Sequence, residues 1–295
     1  MWPFGRLTTT FSPYFLEFLA HDVASTQQRT KIERPTLSEA WVNAEMASQP
    51  HRVACLTRHS ERVWVKRPSP ARPPSLYRAL RVVAWLHGLS VLTPAPRPGG
   101  AAGLRLEATR LTDLRALGIW VPEVLLVNDR FLCISELSGN DLAYYMQVPG
   151  TEPVRREVWQ KGLQAILEVH QKGSYISQCF SRNMIVSPDL ARIGFIDFED
   201  DPGLVLKTTH AQVRDWLLYL LSTAVWIKAI EDRHAVLIEA LSLEAPFVRD
   251  LFWEALHRLS WFRHLPNERK WGKDAWWLQA AAQLGFECRQ KMTKR

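Results

Sequence analysis

Two short apolar segments near the middle of the chain constrain its fold more than any other feature. They are NMIV at 183–186 and RIGFID at 192–197, separated by turn-forming residues at 187–189. Apolar runs of this length on either side of a turn are typical of a β-hairpin. Such a hairpin brings Asn183, at the start of one strand, close to Asp197, at the end of the other.

The sequence on either side predicts strands before this hairpin and helices after it. VACL and RVWVK within 53–66 predict a first hairpin, and 119–137 predicts two strands around a turn at Asn128 and Asp129. The Pro/Gly-rich stretch 93–103 is typical of a linker. Apolar spacing predicts helices over 77–89, 104–117 and 163–173, and again from Ala211 onward.

These elements predict an α+β fold in which a small sheet-rich lobe precedes a larger helical lobe. With 295 residues, the chain is long enough for one large domain or two modest ones. We expect an N-terminal extension over 1–50, the sheet-rich lobe over 51–138 and the helical lobe over 139–295.

Composition narrows the class of partner and the compartment. The net charge of +7 favours anionic partners, but no nucleic-acid motif accompanies it, so nucleic-acid binding is not expected. The four cysteines form no CxxC pair and no metal-ligand spacing, which predicts reduced thiols and a cytoplasmic protein. The longest apolar run, 216–227, is shorter than the roughly 20 residues that span a bilayer. The sequence therefore predicts a protein that is soluble or in peripheral contact with a membrane.

Asn183 and Asp197 have the chemistry of a magnesium site. Mg²⁺ prefers oxygen ligands, and an amide oxygen and a carboxylate at facing strand ends supply them. Upstream, Lys66 ends a β-rich run, and a lysine in such a place can pair with nucleotide phosphates. Glu107 lies in the predicted helix 104–117 and could hold Lys66 in an ion pair. Singly, each residue is best read as a surface charge, but their order along the chain favours a joint site.

With these residues in place, the chain resembles the protein-kinase-like superfamily, and within it the bacterial lipopolysaccharide kinase (Kdo kinase-like) branch. The resemblance covers roughly 51–225. It rests on VWVKR, LEATRLTDLRALGIWVPEVL, ISELSGNDL, VHQKG, IDFED and VRDWLLYL. It implies a two-lobed kinase-like fold that binds ATP and Mg²⁺, and Asp215 as a buried aspartate bracing the catalytic loop.

The resemblance also implies a role for each candidate residue. Lys66 and Asp197 would be catalytic, with Lys66 on the phosphates. Glu107 and Glu136 would help to bind the nucleotide, Glu136 at the link between the lobes. Asn183 and Asp197 would hold Mg²⁺. The implied acceptor is a lipopolysaccharide sugar or related glycolipid, or a protein.

The chain departs from the family at two places. Gln178 and Ile176 stand where the catalytic aspartate and the histidine before it are expected, and glutamine cannot accept a proton at neutral pH. Gln178 could still orient an acceptor hydroxyl. The stretch 53–63, taken as the phosphate loop, contains no glycine.

Other acidic and basic side chains nearby are candidates for a replacement base. Three acids follow Asp197, and simple solvation is favoured over a role as base: Glu199, Asp200 and Asp201. His170 is expected to be a structural histidine, because it lies on the apolar face of a helix.

Two functions therefore fit the sequence. One is an ATP-dependent phosphotransferase. The other is a pseudokinase that acts as a nucleotide-binding or interaction module without phosphoryl transfer. A third reading, transfer of AMP, follows from kinase-like proteins that lack the catalytic aspartate.

Overall fold

A computed structural model describes residues 37–70, 90–265 and 272–293. The predicted helix at 77–89 and most of the predicted extension lie outside these residues. Within them the α+β class is confirmed: a small antiparallel sheet is followed by a mostly helical remainder. The described residues belong to one compact unit. The lobe boundaries given above stay predictions.

The first sheet confirms both hairpins predicted before residue 138. Its strands are β1 (Val53–Arg58), β2 (Glu61–Lys66), β3 (Val124–Val127) and β4 (Leu132–Ser135), in the antiparallel order β1-β2-β4-β3. The β3–β4 turn forms because Asn128 Oδ1 accepts hydrogen bonds from two backbone amides, each at 2.9 Å.

A helix packs on each face of this sheet. Ser38 caps the N-terminus of the helix α1 (Glu39–Ala47), since its side chain accepts a hydrogen bond from Trp41 N. This helix covers one face of the first sheet. One small apolar cluster joins the helix to the sheet: Val42, Met46, Ala54, Leu56, Val63, Val65, Phe131 and Cys133. Burial raises the pKa of Cys133 to about 12, as expected for a thiol that serves as a small apolar side chain.

On the other face lies α2 (Gly100–Ala116). The apolar stripe predicted for this helix is confirmed, since all four side chains are buried: Leu104, Ala108, Leu111 and Leu114. Its start differs from the prediction, because the linker expected to reach residue 103 ends at Gly99. Gly99 has a φ of 67°, a conformation that glycine adopts readily, and this turns the proline-rich chain into the helix.

A second antiparallel sheet contains the central hairpin. Its strands are β5 (Asn140–Asp141), β6 (Met184–Val186) and β7 (Ile193–Phe195), in the order β5-β6-β7. Gly194 lets β7 approach the chain at Trp120, because a Cβ there would lie 2.7 Å from the Trp120 carbonyl oxygen.

Helices form the rest of the described chain. They are α3 (Leu142–Gln147), α4 (Glu152–Gln171), α5 (Thr208–Thr223), α6 (Arg233–Ser242), α7 (Pro246–Arg258) and α8 (Lys273–Thr293). The helix predicted over 163–173 is confirmed, although it begins at Glu152. Most of the apolar run 216–227 lies in α5 and in the main core, which explains its composition. Among the helices of the described residues, none combines the length and apolar character needed to cross a bilayer.

Candidate functional site

An ion pair between Lys66 and Glu107 is the centre of the site. Lys66 Nζ lies 2.6 Å from Glu107 Oε1, joining the end of β2 to α2. The Lys66 side chain is 12% exposed and that of Glu107 only 1%. The same Glu107 oxygen accepts from Phe198 N at 3.5 Å. The pair is therefore tied to the segment immediately after Asp197.

The β6–β7 hairpin brings Asn183 and Asp197 to the same end of the second sheet. Ile196 N donates to Asn183 O at 3.0 Å, which places Asp197 one residue from this bond. Asp197 has a φ of 69°, a left-handed conformation that costs free energy in a residue other than glycine. Its side chain is half-buried and still reaches solvent. Strain of this kind at the end of a strand is common in functional sites.

The donor set of this pair fits Mg²⁺. Asn183 Nδ2 donates to Gln178 O at 3.0 Å, so the amide is oriented with Oδ1 as its remaining polar atom. An amide oxygen and a carboxylate are hard ligands, and Mg²⁺ takes its other ligands from water and phosphates. No group of three or more His, Cys, Asp or Glu side chains suited to a metal occurs in the parts of the chain that the structure describes.

Gln178 lies in a loop whose two preceding backbone amides donate hydrogen bonds to Asp215. Asp215 is fully buried, and its two carboxylate oxygens accept from Ile176 N at 2.6 Å and from Ser177 N at 3.1 Å. Ser177 has a φ of 86°, so the loop turns sharply just before Gln178. The predicted structural role of Asp215 is confirmed. Gln178 is half-buried, and its backbone carbonyl accepts from Asn183 Nδ2 at 3.0 Å.

His170 bridges Asp215 to a second buried carboxylate. Its Nε2 lies 3.3 Å from Asp215 Oδ2, and its Nδ1 lies 2.5 Å from Glu244 Oε1. Burial acts to lower the pKa of His170, but hydrogen bonds to the two carboxylates outweigh it, so the pKa is raised above its ordinary value. The prediction of a structural histidine is confirmed, and His170 is enclosed too completely to reach a substrate.

The acids after Asp197 are not solvated, and that prediction is wrong. Glu199, Asp200 and Asp201 are all buried. Glu199 Oε1 binds Arg52 at 2.7 Å, and Arg97 contacts both Glu199 and Asp200. The guanidinium groups of Arg52 and Arg97 offset the desolvation cost of burying Glu199 and Asp200. No local sequence pattern indicates that these distant residues meet.

The third acid, Asp201, is held by other contacts. Its Oδ1 accepts from the Tyr175 hydroxyl at 2.5 Å and from Gly203 N at 2.9 Å. Asp201 and Glu199 are therefore both engaged in contacts within the protein, Asp201 with Tyr175 and Gly203, and Glu199 with the arginines.

The turn of the hairpin at 53–63 lies far from Lys66. Val53 pairs with Lys66, so Lys66 lies at the open end of the hairpin, and the turn at His59 and Ser60 lies at the other end. Five residues of strand separate the two ends by roughly 16 Å. The turn is therefore too far away to contact a group bound at Lys66, whereas Val53, at the start of the same stretch, lies opposite Lys66.

Glu136 lies directly after β4 and is half-buried. Its Oε1 forms an ion pair with Arg62 at 2.9 Å. Its role in nucleotide binding stays a prediction.

Sequence reasoning missed Arg52 and Arg97. Arg52 precedes a strand, and Arg97 stands between Pro96 and Pro98 in the stretch taken as a linker. Only a surplus of positive charge in the sequence hinted at them.

No family model matches this chain, and a search of curated proteins returns no match either.

Proposed function

We propose that the chain is an ATP-dependent phosphotransferase with a two-lobed, kinase-like fold. The observation that carries the proposal is the Lys66–Glu107 ion pair, which is tied through Phe198 N to the residue after Asp197. In kinases a strand lysine, a helix glutamate and a metal-binding aspartate must meet in this way for phosphoryl transfer. These residues come from three separate elements of the chain. Their proximity therefore supports a shared site rather than a coincidence.

The arrangement supports a role for each residue. Lys66 would bind the α- and β-phosphates, and Glu107 would hold the ammonium group in place. Asn183 and Asp197 would hold Mg²⁺, which neutralises charge on the phosphates when it is bound. Glu136 would lie near the nucleotide at the link between the lobes.

Transfer without a catalytic aspartate should be slow. A positioned general base contributes about 10²–10⁴-fold to such reactions. Phosphoryl transfer has a loose transition state, so positioning and electrostatics supply most of its rate. The Gln178 side-chain carbonyl would accept a hydrogen bond from the acceptor hydroxyl and orient it, while the proton leaves to solvent or to the transferred phosphoryl group.

The acceptor we propose is a lipopolysaccharide sugar or related glycolipid, with a protein as the other option. The net charge of +7 suits an anionic acceptor. A glycolipid acceptor would place the protein in the cytoplasm with peripheral contact at the inner membrane.

One observation favours a second function, that of a pseudokinase. Gln178 stands at the position of the base, and the nearby acids Glu199 and Asp201 are occupied by donors. A chain of this kind could bind nucleotide and transfer nothing.

Calorimetric titration with ATP, with and without Mg²⁺, tests the proposal. We expect Mg²⁺-dependent binding that Lys66→Met weakens at least about tenfold, equivalent to about 1.4 kcal/mol. Lys172→Met is the matched control, since Lys172 pairs with Glu168 on the exposed face of α4. Absence of binding at millimolar ATP would exclude both the kinase and the nucleotide-binding pseudokinase.

ADP release, measured on the same samples, separates those two functions. Slow release that Asp197→Asn abolishes supports the phosphotransferase. Mg²⁺-dependent binding with no release in the presence of glycolipid or protein acceptors supports the pseudokinase.

A further inference from the structure

We infer that Arg52 and Arg97 form a binding site for the terminal phosphates of the nucleotide, and that Glu199 occupies this site when no nucleotide is bound. The inference rests on the proposed function. It assigns to these arginines the phosphate-binding role expected of the stretch 53–63, whose turn lies far from Lys66.

Arg52 lies beside Lys66. Arg67 N donates to Arg52 O at 2.8 Å, which extends the β1–β2 pairing by one step beyond Val53 and Lys66. The Arg52 guanidinium donates to Arg67 O at 3.2 Å and reaches Glu199 Oε1 at 2.7 Å. Arg52 therefore stands at the open end of the hairpin, where the phosphates bound by Lys66 would lie.

Arg97 is carried by a rigid segment that is anchored at both ends. Arg214 Nη1 donates to Thr93 O at 3.1 Å, and Gly100 N donates to Ser69 O at 2.8 Å. Pro96 and Pro98 fix their own φ angles on either side of Arg97. The backbone at Arg97 therefore loses little conformational freedom when the side chain binds a ligand.

The two guanidinium groups meet at Glu199 and leave binding capacity unused. Arg97 Nε is buried and has no hydrogen-bond partner among the described residues. It lies 3.7 Å from Asp200 Oδ1, beyond hydrogen-bond distance. A phosphate offers more acceptor oxygens than one carboxylate and suits the planar donors of arginine better.

The site is near the proposed magnesium ligands and accessible from solvent. Glu199 is two residues from Asp197, so their backbones lie within about 7 Å of each other. The Arg52 side chain is 35% exposed and that of Arg97 is 21% exposed. A phosphate chain running from Lys66 past Asp197 would reach both arginines once Glu199 moves away.

This exchange has a consequence for affinity. Phosphate and Glu199 compete for the same donors, so the apparent affinity for ATP is reduced by the fraction of molecules in which Glu199 holds the arginines. Removing the charge of Glu199 should tighten binding of phosphate chains, whereas removing either arginine should weaken it.

Calorimetric titrations of ATP, adenosine and inorganic tripolyphosphate test the inference. Glu199→Gln should bind ATP and tripolyphosphate about three- to tenfold more tightly, and adenosine as the wild type does. Arg97→Gln and Arg52→Gln should each weaken ATP binding about tenfold and leave adenosine unchanged. Arg156→Gln, which breaks an exposed ion pair with Asp232, is the matched control and should change none of these.

The results separate this inference from the proposed function. ATP binding that depends on Lys66 but is unaffected by Arg52→Gln and Arg97→Gln overturns the inference alone. Arginine-dependent binding of tripolyphosphate without ATP binding supports the phosphate site and overturns the proposed function. Absence of all binding overturns both. If Glu199→Gln does not fold, Arg52→Gln decides the matter, because its side chain is one-third exposed and its loss disturbs the core least.

Discussion

Among the described residues, one buried polar cluster near Asp215 and another near Lys66 differ in how completely their atoms are paired. The first, which we call the brace, consists of His170, Asp215, Trp216 and Glu244. Both ring nitrogens of His170 and both oxygens of Asp215 and Glu244 have partners, as does the Trp216 indole nitrogen. Every buried polar group in the brace is therefore satisfied.

The second cluster, which we call the cleft cluster, consists of Lys66, Glu107, Arg97 and Glu199. Here Glu107 Oε2 and Arg97 Nε are buried without a hydrogen-bond partner among the described residues. An unpaired buried polar atom costs free energy, and folded proteins keep few of them. The brace has the pairing of a structural network, whereas the cleft cluster has an unpaired donor and an unpaired acceptor, which the proposed nucleotide site would use.

Removing Asp215 should have the largest effect. Asp215→Ala leaves two buried amides and His170 without their acceptor, so we expect a loss of about 3–5 kcal/mol in the free energy of unfolding. Urea denaturation measures it. Asp250→Ala is the control, because Asp250 is 70% exposed, and it should change stability by no more than about 0.5 kcal/mol. If Asp215→Ala has the same urea midpoint as the wild type, the brace does not stabilise the fold and the difference between the two clusters is not one of structural role.

A smaller loss is expected in the cleft cluster. Glu107→Gln should cost about 1–3 kcal/mol, because the freed Lys66 ammonium can reach water while the neutral amide stays buried. The same variant should weaken Mg²⁺-ATP binding, which Asp215 variants that still fold need not do. The control is Glu168→Gln, which removes an exposed partner of Lys172. Equal stability losses for Glu107→Gln and Asp215→Ala would erase the distinction between the clusters.

The brace should also respond to pH. The pKa of His170 is raised above 6.5, because its two carboxylate partners outweigh burial. Its contribution to stability is therefore fully present below the unfolded pKa and is lost as pH rises through the folded pKa. We expect the stability difference between wild type and His170→Gln to shrink as the pH rises from 6.5 upward. Urea denaturation across this range tests it, with exposed His257→Gln as control; a growing difference would contradict the assignment.

The smallest effect should have the opposite sign. Gly103 lies in α2, one turn before Glu107, and a Cβ there would meet no atom within 4 Å. Gly103→Ala should raise the free energy of unfolding by about 0.5–1 kcal/mol, since it favours the helix that positions Glu107. Thermal unfolding measures the gain. A loss of stability would mean that α2 does not tolerate even this change beside the cleft cluster.

Local sequence patterns were sufficient for the elements that carry the site. Turn residues between apolar runs determined the hairpins, including the one that joins Asn183 to Asp197. Apolar spacing determined the buried stripe of α2 and thus the direction in which Glu107 could point. Such signals depend on residues that are close together in the sequence. They can therefore be recognised without knowledge of the rest of the molecule.

Tertiary structure alone decided what surrounds the site. Glu199 reads as a solvated acid after a turn, and only the arrival of Arg52, 147 residues earlier, makes it a buried ion-pair partner. The same holds for Glu244, which completes the brace from 74 residues beyond His170. A side chain's type and spacing are properties of the local sequence. Its burial and its partners depend on which distant segments pack against it, and the packing of the whole chain determines that.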